Sequence, residues 1–274
     1  MLDGADPVTV MQRTRGRAAV TLAAAPGGAR LTHLHQSGSA KAMLPRIHTP
    51  RPEVVFLNTA GGLTGGDRMS FALTLAPGAS ATATTQTAER AYASSGGVAE
   101  LNIDMRVGAG GALDWLPQET ILFEGSALSR RTMIALEGDA RLLMLETVVL
   151  GRVAMGETLT SAFLHDSRSV TRDGRPVLME PLRLTAETLC RDGASAGLRG
   201  ARAIATLALV APGAEDALGP LRAAFPGDGV EAAANAWRGS WARMRPCCAG
   251  RWCGRSRHSG AARCPGFGRY EETA

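Results

Sequence analysis

Lysine is almost missing from this chain: of its 30 basic residues only Lys41 is not arginine. Such a bias fits a GC-rich coding sequence better than an electrostatic purpose. Aromatic residues make up 4% of the chain, which leaves little for the stacking platforms that carbohydrate-active sheets present to sugars. Outside the last thirty residues the only cysteine is Cys190, so a disulfide framework is excluded and a reducing cytoplasm is expected. No apolar run approaches the roughly eighteen residues that a membrane-spanning helix needs. The stretch Arg15–Ala25, RGRAAVTLAAA, imitates a short signal peptide, but it follows Asp3 and Asp6 and its apolar part is brief. A β-strand is the better reading.

The net charge is +5, yet Arg245, Arg251, Arg255, Arg257, Arg263 and Arg269 all lie beyond residue 244, opposed only by Glu271 and Glu272. The first 244 residues carry 24 basic and 23 acidic groups. No linear cluster of Lys and Arg marks a face for phosphate backbones. Neither nucleic acid nor a membrane is therefore the expected partner.

What the chain does have is alternation. From Val54 to about Val170 the apolar residues recur with period two, in VVFLN, FALTL, ATATTQT, AELNIDMRV, RTMIAL and LLMLETVVL, which predicts strands. Gly78, Gly110 and Gly138 punctuate them at spacings of 32 and 28 residues. A turn followed by a strand at that period is a weak internal repeat, and units of this kind bury their apolar faces by stacking. The expected fold is mainly β: a layered, helically wound, solenoid-like sheet domain over residues 1–244. A strand and then a few helices are expected at its C-terminal end, from the Ala-rich segments GARAIATLALVA, AEDALGPLRAAF and GVEAAANAW.

AGGLTGGD (Ala60–Asp67) follows a strand but lacks the Gly-Lys-Ser/Thr ending of a phosphate loop and has no helix after it. A tight double turn is the plainer account, with Asp67 bonding the turn. Further on, Glu89, Glu119, Glu124, Glu146 and Glu157 each stand beside apolar strand residues. Acids in such company are paired, ligated or set in a wet channel. Three roles stay open for them: ion pairs with Arg90, Arg130, Arg131 or Arg152; an acid and base pair such as Glu119 and Glu124 in a carbohydrate-active enzyme; or oxygen donors along a path for a divalent cation. His33 and His35 share a strand face but have no third ligand nearby. No Ser-His-Asp or Cys-His arrangement is present.

Five segments, GSAKAMLPR (38–46), LNTAGGLTGGDR (57–68), TTQTAERAY (84–92), LDWLPQETILFEGS (113–126) and GRVAMGE (151–157), together resemble the urease accessory protein family UreD, called UreH in some organisms. The resemblance implies a non-enzymatic assembly factor that binds the urease apoprotein and forms a complex with UreF and the GTPase UreG. It implies help in nickel delivery, with no permanently bound cofactor and only transient nickel. Gly61, Gly62, Gly65, Gly66, Gln118, Gly151 and Arg152 fall in the family motifs as structural positions. The candidate nickel path, Asp67, Glu89, Glu119, Glu124, Glu146 and Glu157, comes from the residues themselves.

Residues 245–274 depart from this pattern, with Cys247, Cys248, Cys253, Cys264 and His258 among arginine and glycine. The gaps between Cys248, Cys253, His258 and Cys264 are not the short pairing of a zinc knuckle. Reading each codon one base earlier turns Cys and Trp into Leu, Met or Val and lets Arg become Ala, giving an amphipathic helical pattern. A frame slip is the preferred explanation; a genuine disordered tail and a metal site are the alternatives.

Overall fold

The computed structural model describes residues 12–45, 51–190, 198, 201–224, 230–235 and 239–244. The expectations for the cysteine-rich tail lie outside them. Among the described residues seventeen strands follow one another: β1 (Arg15–Ala25), β2 (Gly28–Gly38), β3 (Ala40–Met43), β4 (Glu53–Asn58), β5 (Arg68–Leu75), β6 (Ser80–Thr85), β7 (Glu89–Ala91), β8 (Ala99–Val107), β9 (Ala112–Trp115), β10 (Thr120–Leu122), β11 (Ser126–Leu136), β12 (Arg141–Leu150), β13 (Ala162–Arg172), β14 (Arg175–Leu184), β15 (Ala203–Val210), β16 (Val230–Asn235) and β17 (Gly239–Met244). Among the described residues helix is confined to two short segments, α1 (Ala186–Cys190) and α2 (Leu218–Ala224), and two 3-10 turns.

The strands form two facing sheets. One has seven strands in the order β14-β13-β11-β8-β5-β1-β2; the other runs β16-β17-β15-β12-β9-β6-β4-β3, with β10 and β7 joined beside β12. The chain winds between them, so β1, β5, β8, β11 and β13 stack in parallel on one side and β4, β6, β9 and β12 on the other. Period-two alternation is what makes this possible. In each strand one set of side chains meets the opposite sheet and the other set faces outward. Between the sheets lie Phe56, Phe71 and Trp115, with Phe56 stacked at 4.9 Å on Phe71 and edge-on to Trp115 at 6.4 Å.

The glycine repeat is the stacking period. Gly78, Gly110 and Gly138 have φ of 73°, 70° and 53°, open to glycine at little cost. Their turns pile up at one end of the strands, where Gly78 N donates to the Ala109 carbonyl at 2.8 Å. Gly110 N donates to Asp139 Oδ1 at 2.7 Å, and Gly138 N to Asp173 Oδ1 at 2.9 Å.

AGGLTGGD is a double turn. Asp67 is buried, and its carboxylate accepts from Thr14 N at 2.7 Å and Thr64 N at 2.8 Å. Gly61 and Gly66 take φ of 79° and 89°. Gly62 and Gly65 are required for a different reason: a Cβ on Gly62 would overlap the Tyr92 ring and the Arg90 carbonyl, and one on Gly65 would overlap Ser94 Oγ and the carbonyls of Gly96 and Gly97. Gly65→Ala is therefore expected to lower stability by about 2–3 kcal/mol through overpacking. Urea titration checks this, and an unchanged midpoint would show that the neighbouring loop yields freely.

One expectation fails at the C-terminal end. The Ala-rich segment GVEAAANAW was expected to be helical, but Val230–Asn235 forms strand β16, paired with β17, which itself pairs with β15. The hairpin partner β17, itself docked on the edge of β15, offers backbone partners that outweigh the modest helix preference of alanine. The neighbouring expectation holds, since Ala203–Val210 is a strand and Leu218–Ala224 a helix.

Candidate functional site

The inward-facing residues of β11 and β13 are not all apolar. Arg130 and Thr132 occupy inward positions between Leu128 and Ile134, and Asp166 and Arg168 do so between Leu164 and Val170. From the opposite sheet β12 contributes Glu146, which has no exposed surface. The two sheets thus enclose an ionic network.

Glu146 Oε1 accepts from Trp115 Nε1 at 2.8 Å and Thr132 Oγ1 at 3.0 Å, and its Oε2 from Arg168 Nε at 2.6 Å. Arg130 grips Asp166 through Nε at 2.9 Å and Nη2 at 2.5 Å, while its Nη1 donates to Thr120 Oγ1 at 3.0 Å. Arg168 Nη2 also reaches Asp166, at 2.5 Å, and its Nη1 stands 3.5 Å from Glu180 Oε2. Thr206 Oγ1 donates to Glu180 Oε1 at 3.3 Å. Three carboxylates, those of Glu146, Asp166 and Glu180, face the two guanidinium groups of Arg130 and Arg168.

Burial alone would push the Glu146 carboxyl upward. The charges of Arg130 and Arg168, with the hydrogen bonds from Trp115 and Arg168, outweigh it and bring the pKa down to about 2. Burial likewise works against a charged Arg130, but Asp166 and Glu146 hold it protonated more firmly than usual.

Glu89 sits in a different setting. It lies on β7, part-buried, at a cavity of about 40 Å³ lined by Phe56, Asn58, Phe71, Gln86 and Glu89 among others, large enough for roughly two or three waters. Asn58 Nδ2 donates to both its oxygens at 3.1 and 3.3 Å and to the Gly62 carbonyl at 3.2 Å. Burial dominates here and raises the pKa to about 7, against the opposing bond from Asn58. Glu119 touches this region through its backbone, its carbonyl accepting from Glu89 N at 2.9 Å. Gln118 N donates to Thr85 Oγ1 at 3.0 Å.

The remaining acids meet at the connection following β12. Glu157 binds Arg152 through two side-chain bonds of 3.0 and 2.9 Å and accepts Arg152 N at 2.8 Å. These bonds lower its pKa to about 2. Glu124 N approaches Glu157 Oε1 at 3.4 Å, and the Glu124 carboxylate accepts from Thr160 N at 2.8 Å and Thr160 Oγ1 at 2.7 Å. Against the upward push of burial, those bonds depress the Glu124 pKa. Gly151, with φ of 78°, donates to the Leu122 carbonyl at 2.9 Å. Arg152 lies over the Phe123 ring at 4.7 Å, and Tyr92 meets that ring edge-on at 5.0 Å.

The six candidate acids therefore occupy four settings rather than one. Asp67 ties a turn, Glu89 borders the small cavity with Glu119 bonded to it through the backbone, Glu146 is enclosed, and Glu124 and Glu157 stabilise a loop. His33 and His35 lie exposed on β2. Among the described residues no three His, Cys, Asp or Glu side chains converge as a metal-ligand set. Sequence reasoning missed Asp166, Arg168 and Glu180. A signal was available: in AFLHDSRSV the alternation that puts Leu164 and Val170 inward also puts Asp166 and Arg168 inward.

Comparison with known proteins settles the lineage. The family model described as UreD urease accessory protein matches residues 14–264. The chain belongs to the UreD family. It is 60% identical over 233 residues to a urease accessory protein UreD of Cereibacter sphaeroides, covering 85% of each chain. A counterpart from Dinoroseobacter shibae is 53% identical over 84% of this chain and 80% of its own. A third, from Paracoccus denitrificans, is 50% identical over 86% and 83%. The matched span includes the turn of Gly61–Asp67, strand β7 with Glu89 and the Gly151–Glu157 loop.

Proposed function

We propose that this protein is a non-enzymatic scaffold that binds the urease apoprotein and, with UreF and UreG, supports nickel insertion into the urease active site. The observation that carries the proposal is the family match over most of the chain, with curated relatives at 50–60% identity named as urease accessory proteins. The acids are disposed for support rather than turnover: Glu146 and Glu157 are held ionised by arginine, and Glu124 by hydrogen bonds. Nickel, on this reading, is transient cargo. Glu89 is the acid most suited to meet it, since a carboxyl near pKa 7 at a small cavity exchanges protons readily at cellular pH. The setting for this work is the cytoplasm; among the described residues no helix is long and apolar enough to cross a membrane.

The test is co-expression of the urease structural genes and the other accessory genes with and without this chain. Urease purified without it is expected to carry less than about a tenth of the nickel and activity. Full nickel occupancy in its absence would sink the proposal.

A further inference from the structure

The sequence shows no basic cluster, and a basic face was not expected on the folded domain. Strand pairing corrects this. The outward positions of the seven-stranded sheet carry Arg15 and Arg17 on β1, Arg30 on β2, Arg68 on β5, Arg106 on β8, Arg131 on β11 and Arg183 on β14, all exposed. His33, His35 and His165 stand among them. Only two acids share the strand positions of this face, Glu100 and Asp104, giving a net charge of +5 with the histidines neutral. The first 244 residues as a whole are near +1. The rest of the body is therefore near −4, and positive charge is segregated onto this face.

The arginines are poorly neutralised. Among the described residues, one of the seven forms an ion pair, Arg68 with Glu100 at 3.5 Å, and Arg183 rests over the Phe163 ring at 5.9 Å. Between them the face is low, built of residues such as Ser70, Ala72, Ser129 and Ser167. No described helix pairs with it. It spans roughly 29 Å across seven strands at the usual strand spacing.

We propose that this outer face of the seven-stranded sheet is a docking surface for an acidic protein surface. Charge complementarity identifies the partner: seven arginines need carboxylates opposite them, and fixed opposite charges steer encounter and set register. The form of the face favours protein over nucleic acid. It is a broad plane rather than a groove that tracks a backbone; Phe163, already under Arg183, is the aromatic on it; and Glu100 and Asp104 would repel phosphates while helping to register a mixed protein surface.

Two probes test it, urease apoprotein and a poly-L-glutamate peptide; the apoprotein arm rests on the functional reading above. Binding of the full chain is measured at 50 and 300 mM NaCl for wild type, for R17E/R106E/R131E, and for R141E, whose arginine is exposed on a strand of the other sheet. Matching thermal melts confirm that all three fold. The triple variant is expected to bind either probe at least about tenfold more weakly, and wild-type binding to fall about tenfold with salt, while R141E stays within about twofold of wild type. Equal binding of apoprotein by the triple variant and wild type overturns the proposal. If wild type does not bind apoprotein, the functional reading fails at that partner and poly-L-glutamate decides the face: loss in the triple variant supports it, and no binding or no loss overturns it. Tighter binding of duplex DNA or of phosphatidylserine vesicles than of poly-L-glutamate at equal salt overturns the choice of a protein partner.

Discussion

Glu146→Ala is expected to cost about 3–5 kcal/mol, because it leaves Trp115 Nε1, Thr132 Oγ1 and Arg168 Nε without their buried acceptor, although Asp166 still holds both arginines. Against a total stability of about 5–15 kcal/mol for a domain of ordinary kind, that loss should leave much of the variant unfolded or insoluble at 37 °C. The removed carboxylate is the acceptor for Trp115, Thr132 and Arg168 at once and a charge partner of Arg130. Glu146→Gln keeps an oxygen for Trp115 and Thr132 and should lose less. Urea denaturation at pH 7 distinguishes them, and a deficit under about 1 kcal/mol for the alanine variant would mean that water enters and solvates the arginines. The same site predicts acid sensitivity. With the folded pKa near 2 and the ordinary value at 4.5, the stabilisation is full above about pH 4.5 and is lost as the pH falls toward 2. A loss of urease activation in Glu146 variants thus has to be judged beside their stability, since the residue holds the two sheets together.

Glu89→Gln should do the reverse and make the protein more stable in mild alkali. The folded pKa is about 7, above the ordinary 4.5, so the native state holds a proton between those values that the unfolded chain has released. The contribution is fully favourable below about pH 4.5 and is lost as pH rises through 7. A displacement of that size corresponds to about 3 kcal/mol of strain from a buried ionised carboxylate at pH 8. Glutamine resembles the protonated acid and escapes that cost. Thermal melts of the two proteins should coincide near pH 4.5 and diverge by several degrees at pH 8, the variant melting higher. Coincident melts at both values would show that the cavity is well hydrated and the carboxylate unstrained. If Glu89 also meets nickel, the stabilised variant is the one to examine for slowed urease activation, because its fold is not in question.

Alternation and glycine spacing made the architecture legible from the residues, and Leu101 to Val107 or Arg141 to Leu150 could be assigned to a buried-face strand at sight. The five motif segments likewise point to the family from the residues alone. Asp67 was read as a turn residue and is one. Glu157 with Arg152, five residues apart, was within reach of local reasoning. Glu89 was not: its raised pKa comes from burial at a cavity that Phe56 of β4 helps to line, and the Asn58 bond from the same strand opposes the shift. The helix expected over GVEAAANAW failed for a related reason, since β17, the strand that pairs with it, is itself aligned on β15, and local composition does not reveal that sheet edge.

The sequence by itself determined the period of the strands, the positions that need glycine, and the family. Only the tertiary structure decided which charges are enclosed and which are displayed. In a wound pair of sheets, neighbours across the stack come from residues about thirty positions apart, so Glu146, Arg130 and Arg168 meet without any local signature. By the same geometry seven scattered arginines share one face. Alternation fixes that a side chain points inward or outward relative to its own strand, but the register between strands fixes whom it meets.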